Sequence, residues 1–152
     1  MMKKENCIFC RIAKGEIPSV KIWEDKEFLA ILDVFPNTEG MTLIIPKKHY
    51  DSYLFDLPEE FYKRFMMATR KIAKILEKGL KVRRVAMIME GMEINHLHMK
   101  IYPLHGLKNK FSVMAPEEEK YFENYEGYLT TLSGPKKSME ELEKIAERIR
   151  GI

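Results

Sequence analysis

Glutamine is missing from this 152-residue chain, tryptophan occurs once and cysteine twice. No run of about 18 apolar residues occurs, which excludes a bilayer-spanning helix. Charge of one sign is not in excess either. The 26 Lys and Arg are interspersed with 23 Asp and Glu, so the formal charge of +3 implies no field of the kind that drives generic nucleic-acid binding. The start, Met1-Met2-Lys3-Lys4-Glu5-Asn6-Cys7, is basic but lacks the apolar stretch of a signal peptide, so no membrane role and a cytoplasmic location are expected. Absence of Gln beside abundant Lys and Glu matches proteins from hot environments, against which 11 Met weigh. The 45% hydrophobic and 32% charged composition is that of a soluble globular protein, long enough for one domain and too short for two.

The two cysteines form Cys7-Ile8-Phe9-Cys10. Such a pair serves as a redox couple, half of a zinc site, or a loop disulfide. A thioredoxin-type motif follows a strand, and none precedes this one, so zinc is the better reading. A tetrahedral site would need two further ligands, and the imidazoles on offer are His49, His96, His98 and His105.

Ile94-Asn95-His96-Leu97-His98-Met99-Lys100-Ile101-Tyr102-Pro103 carries the strongest signal. Alternation with period two puts His96, His98 and Lys100 on one face of a strand and Leu97, Met99 and Ile101 on the other. Two imidazoles and an ammonium in a row make a poor solubilising pattern and can supply a nucleophile, a metal ligand and an anion binder. A half-exposed edge strand with incidental histidines would share the spacing.

Around this segment, the pattern predicts a short helix over 7–14, ended by Gly15 and Pro18. Strands at 20–23 and 28–32 flank a polar turn, Glu24-Asp25-Lys26-Glu27, and a further strand at 41–45 stops at Pro46. Phe61, Phe65, Ala68, Ile72, Ile75 and Leu76 mark one long amphipathic helix over 58–78, with Met66 and Met67 as core filler. Strands at 82–89 and 94–102 follow, joined by a connector at 90–93. Beyond Lys108 an irregular segment with Gly127, Gly134 and Pro135 leads to Ser138-Met139-Glu140-Glu141, a capping-box spacing ahead of Leu142, Ile145, Ala146 and Ile149, so a final helix is expected. The division is 1–107 for the domain and 108–152 for an extension packed on it or on a partner subunit.

Several ordered motifs together resemble the histidine triad (HIT) superfamily of nucleotide hydrolases and transferases. They are Cys7-Ile8-Phe9-Cys10-Arg11-Ile12 with Gly15-Glu16-Ile17-Pro18, then Phe28-Leu29-Ala30-Ile31-Leu32-Asp33 with Pro36 and Gly40. Thr42-Leu43-Ile44-Ile45-Pro46-Lys47-Lys48-His49 and His96-Leu97-His98 complete the set, which spans residues 7–103. The resemblance implies an α+β fold, an antiparallel sheet packed against the long helix, and a homodimer whose sheets join. It makes His98 the nucleophile that attacks the α-phosphorus of a nucleotide ester, anhydride or amidate and forms a nucleotidyl-histidine. It further implies a structural zinc on Cys7, Cys10, His49 and His96, and a purine nucleotide substrate with Asp33 on the ribose. Ile8, Phe9, Ile12, Ile17, Ile31, Val34 and Leu43 would surround the base, and plain core packing is the competing reading for each.

The chain departs from the family pattern in three places. Lys100 stands where most members have the third His; some transferase branches, such as those resembling galactose-1-phosphate uridylyltransferase, carry Gln there. An ammonium there would neutralise charge on phosphoryl oxygens, but it is a poor proton shuttle at neutral pH. The phosphate loop is shortened to Glu90-Gly91-Met92-Glu93, with Gly91 aligned to the family's glycine and Glu93 among the phosphate-facing positions. Glu93 is expected to pair with Lys100 in the free protein or to select a substrate with a cationic or hydroxyl-bearing group. Met41 stands where many members have His. Hydrolysis of a nucleoside phosphoramidate or dinucleoside polyphosphate is the leading reading, with a nucleotidyltransferase or phosphorylase, or a non-catalytic nucleotide-binding module, as alternatives. C-terminal segments in this family can reach the partner's active site, a role open to Lys136 and Lys137, although such a pair is more often solvated.

Overall fold

Phe28–Leu32 and Thr42–Pro46 are apolar at almost every position because both faces of the sheet they form are covered. The computed structural model describes residues 6–130, 135–138, 140, 141 and 145. In chain order, its elements are α1 (Ile8–Ala13), β1 (Lys21–Glu24), β2 (Phe28–Leu32), β3 (Thr42–Pro46), α2 (Glu59–Leu80), β4 (Val85–Ile88) and β5 (Met99–Pro103). Among the described residues, the five strands form one antiparallel sheet in the order β1-β2-β3-β5-β4. This is the expected α+β architecture. β5 lies between β3 and β4, which disposes of the edge-strand reading.

One layer is α2. Phe61, Phe65, Ala68, Thr69, Ile72 and Leu76 recur at helical spacing and are buried against Phe28, Ala30, Ile44, Leu97, Met99 and Ile101. Each large side chain so buried contributes about 1.5–3 kcal/mol. Glu59 and Glu60 occupy the first turn, where carboxylates favour the helix N-terminus, and Lys81 ends the helix in the left-handed region at φ 54°. Met66 packs on this core, but Met67 is exposed, so only half of the methionine pair fills the core.

α1 covers the opposite face. Cys7, Phe9, Cys10 and Ile12 meet Leu29, Ile31, Leu43 and Ile45, the alternate residues of β2 and β3. The β1–β2 turn is built by Asp25, whose Oδ1 accepts the N–H groups of Glu27 at 2.8 Å and Phe28 at 2.7 Å.

Two strands are shorter than the pattern predicts. β4 begins at Val85 rather than 82, and β5 begins at Met99 rather than 94. Residues 94–98 spend their hydrogen bonds elsewhere: His96 N–H donates to the Ile94 carbonyl at 2.8 Å and Leu97 N–H to the Tyr50 carbonyl at 2.9 Å. The Asn95 amide oxygen accepts the Ser52 N–H at 2.9 Å. The side-chain alternation survives without the ladder.

The chain forms two compact units, 1–110 and 111–152. In the second, Ser138 and Glu141 make the reciprocal capping box, at 2.8 and 3.2 Å, and Glu140, Glu141 and Ile145 are helical. Leu142, Ala146 and Ile149 of the expected helix, with Gly134 and Met139, lie outside the described residues, as do 1–5. Lys137 pairs with Glu141 at 3.6 Å and lies over the Tyr121 ring. Among the described residues, no helix is long and apolar enough to cross a membrane.

Candidate active site and metal centre

The sheet face covered by α1 also carries His96 and His98, both buried, followed by Lys100 and Tyr102, both half-buried. The Phe9 ring of α1 meets both imidazoles, edge-on to His96 at 5.6 Å and tilted to His98 at 5.2 Å. The opposite alternation, Leu97, Met99 and Ile101, belongs to the α2 core.

His96 faces the cysteines. Its Nε2–H donates to the Pro46 carbonyl at 2.9 Å, which turns Nδ1 toward Cys7 Sγ at 3.3 Å and Cys10 Sγ at 3.5 Å. His49 Nδ1 lies 3.4 Å from Cys10 Sγ, and the four potential ligand atoms all lie within 4.8 Å of one another. Burial pulls the His96 pKa down to about 4, so its ring is neutral at physiological pH with the Nδ1 lone pair available. A tetrahedral zinc with Zn–S of about 2.3 Å and Zn–N of about 2.0 Å has N···S edges of roughly 3.5 Å. The three N···S separations of 3.3, 3.4 and 3.5 Å match those edges, so the residues present fit the ion. Asp51 Oδ1 lies 3.7 Å from His49 Nε2 and 3.1 Å from Asn95 Nδ2, tying the cluster to the segment that bears the histidines. His105 is not part of it: its Nε2–H donates to the Glu39 carbonyl at 2.9 Å.

His98 is oriented differently. Its Nδ1–H donates to the His96 carbonyl at 2.7 Å. A carbonyl only accepts, so the proton is on Nδ1 and the lone pair of the neutral ring is on Nε2. Desolvation by burial lowers the His98 pKa against the opposing hydrogen bond to the His96 carbonyl, which favours the neutral ring. The arrangement is that of a buried imidazole whose orientation is set by its own backbone.

Lys100 is paired with Glu90 and not with the expected Glu93. Its Nζ lies 3.2 Å from Glu90 Oε1, while Glu93 is exposed. The reason is register: Lys100 faces Ile88 across β4, and Glu90 continues that face beyond Ile88. Strand pairing was the one signal that would have found Glu90, and Tyr102 follows from the same alternation.

The remaining nominated residues divide. Phe9, Ile12, Ile31 and Leu43 are buried together with Ile17 packed on them, whereas Ile8 and Val34 are exposed and lie outside that cluster. Asp33 is half-buried, and its Oδ1 accepts the Phe35 N–H at 2.8 Å. Gly91 has φ +69°, and a Cβ there would come within 2.8 Å of Ser52, so close backbone approach requires glycine. Met41 is buried.

Fold and site together define an α+β protein with two histidines leading into the central strand β5 and a Cys2His2 cluster on one sheet face. The HIT domain model matches residues 14–107, and the chain belongs to that family. It is 38% identical over 122 residues to adenosine 5′-monophosphoramidase of Saccharomyces cerevisiae, covering 77% of this chain and 74% of that protein. The crystal structure of a HIT family member from Bacillus subtilis aligns with TM-score 0.67 and 29% identity over 96% of each chain. A zinc-bound histidine triad family protein from Mycobacterium smegmatis aligns with TM-score 0.60 and 33% identity over 72% of this chain and 83% of that one.

Proposed function

We propose that this protein is a nucleotide hydrolase that cleaves at the α-phosphate of a purine nucleoside phosphoramidate or dinucleoside polyphosphate through a covalent nucleotidyl-His98 intermediate. The observation that carries the reading is the buried His98 ring, with Nδ1–H held on a carbonyl and Nε2 left as the lone-pair nitrogen, and with burial favouring the neutral form. Attack by Nε2 makes the ring cationic, and the His96 carbonyl stabilises that charge through the same hydrogen bond. The intermediate is thereby both formed and activated for departure. Asp33 offers a carboxylate to the ribose hydroxyls, and Phe9, Ile31 and Leu43 supply the apolar surface for the base. The chemistry of the yeast phosphoramidase supports the substrate class.

Cys7, Cys10, His49 and His96 would hold a zinc ion. With four protein ligands the site is closed, so the ion supplies rigidity rather than a reactive water. His96 then anchors the backbone whose carbonyl orients His98. Two buried cysteines in their free form suit a reducing compartment, which supports a cytoplasmic location. A homodimer through the outer edge of β4 is supported by the exposed Met87 beside a cavity of about 270 Å³ lined by Met66, Ala73 and Val85. The segment 108–152 is read as an extension beyond the HIT-like domain.

The test is intact-protein mass spectrometry of zinc-loaded protein and its His98→Ala variant, mixed with adenosine and guanosine phosphoramidates and dinucleoside polyphosphates. A nucleotide-sized adduct, or release of mononucleotide, that disappears in the variant is expected. Bound nucleotide with neither adduct nor turnover would overturn the reading in favour of a binding module, and dependence on an acceptor other than water would favour a transferase.

A further inference from the structure

The chemistry above leaves the Glu90–Lys100 pair without a role. Its side chains are only 14% and 19% exposed, and Nζ lies 3.2 Å from Oε1. A charge pair at this depth is poor value for stability, since well-packed apolar residues of the same volume do as well or better. Its placement is more informative. Lys100 is the next side chain after His98 on the same face, and Glu90 reaches it from the neighbouring strand's end, where Ile88 is the Lys100 partner. The pair thus sets an ammonium one position along the same face from His98, tied to a carboxylate.

Building on the nucleotidyl-transfer reading, we propose that Glu90 is a positioning residue holding the Lys100 ammonium beside the departing group, and that the pair selects substrates whose leaving group departs as a phosphate or polyphosphate anion over those that release an amine. In the first step the Nε2 lone pair bonds to the α-phosphorus, the bond from phosphorus to the leaving group breaks, and its electrons go with that group. If the departing atom is the bridging oxygen of an anhydride, it becomes a phosphate oxygen. It needs no proton at neutral pH, and ammonium N–H groups not directed at Glu90 stabilise its charge. If the departing atom is an amine nitrogen, the electron pair must be met by a proton. Taking it from Lys100 leaves Glu90 as a part-buried carboxylate without its cation, which the pair resists. Imidazole in that position would give up and recover a proton near neutrality. In the second step water attacks the same phosphorus, the P–N bond breaks with its electrons returning to Nε2, and the proton lost by water passes to solvent.

The test is the ratio of kcat/KM for diadenosine tetraphosphate to that for adenosine 5′-phosphoramidate in the zinc-loaded wild type, Lys100→His, Glu90→Gln and Glu90→Asp. The wild type is expected to favour the polyphosphate by about tenfold or more, and Lys100→His to erase or invert that ratio. Glu90→Gln should lower kcat on the polyphosphate with little change in KM, and Glu90→Asp should recover part of the loss. Turnover that depends on His98 with the same ratio in wild type and Lys100→His would overturn the inference and leave the hydrolase reading standing. No adduct and no turnover of either substrate in the wild type would overturn both. If Glu90→Gln does not fold, the Lys100→His ratio decides alone.

Discussion

The Nδ1–H of His98 donates to the backbone carbonyl of His96 at 2.7 Å, while the His96 ring turns the other way, into the Cys7–Cys10–His49 cluster. Whatever locks His96 therefore locks the hydrogen bond that aims His98.

Metal removal is predicted to act on stability first. Cys10→Ser should abolish stoichiometric zinc and lower stability by about 4 kcal/mol at free zinc near a thousand times Kd, and a chelator should have the same effect on the wild type. Zinc content by mass spectrometry and thermal melts with and without chelator check this. An unchanged melt would remove the structural role.

Gly91 is predicted to tolerate no side chain. Gly91→Ala forces a Cβ to within 2.8 Å of Ser52 at φ +69°, so a loss of about 1–3 kcal/mol is expected in urea unfolding, beyond that of Gly15→Ala, which shares the backbone strain at φ +78° but whose Cβ meets nothing.

The α2 layer is predicted to depend on Phe65, which is fully buried and stacks on Phe61 with Phe28 beside it. Phe65→Ala should cost about 3–5 kcal/mol by chemical denaturation, whereas Met67→Ala on the exposed side of the same helix should change little.

Edge-strand dimerisation makes its own prediction at β4. Met87→Glu puts a charge at the exposed Met87 of the edge strand and should shift sedimentation from dimer to monomer without altering the circular dichroism. A wild-type monomer would retire the idea.

Much of this molecule was legible from residue order. The apolar run Phe28–Leu32, the alternation in Met99–Pro103 and the helical recurrence from Phe61 to Leu76 follow from backbone geometry that local sequence already obeys. The faces of His98 and Lys100 are legible for the same reason. Element ends were not, because Asn95 and Ser52 trade hydrogen bonds across a separation no local pattern reports.

Composition and periodicity by themselves determined the α+β elements, the buried face of α2 and the side of the sheet on which the chemistry-bearing residues lie. Tertiary structure alone decided that Glu90 rather than Glu93 meets Lys100 and that Gly91 must make room for Ser52. It also decided that Cys7, Cys10, His49 and His96 converge on a single point. Spacing along a chain governs which face a side chain takes. Which distant charge or sulfur it meets depends on strand register and packing, which exist only once the sheet has closed.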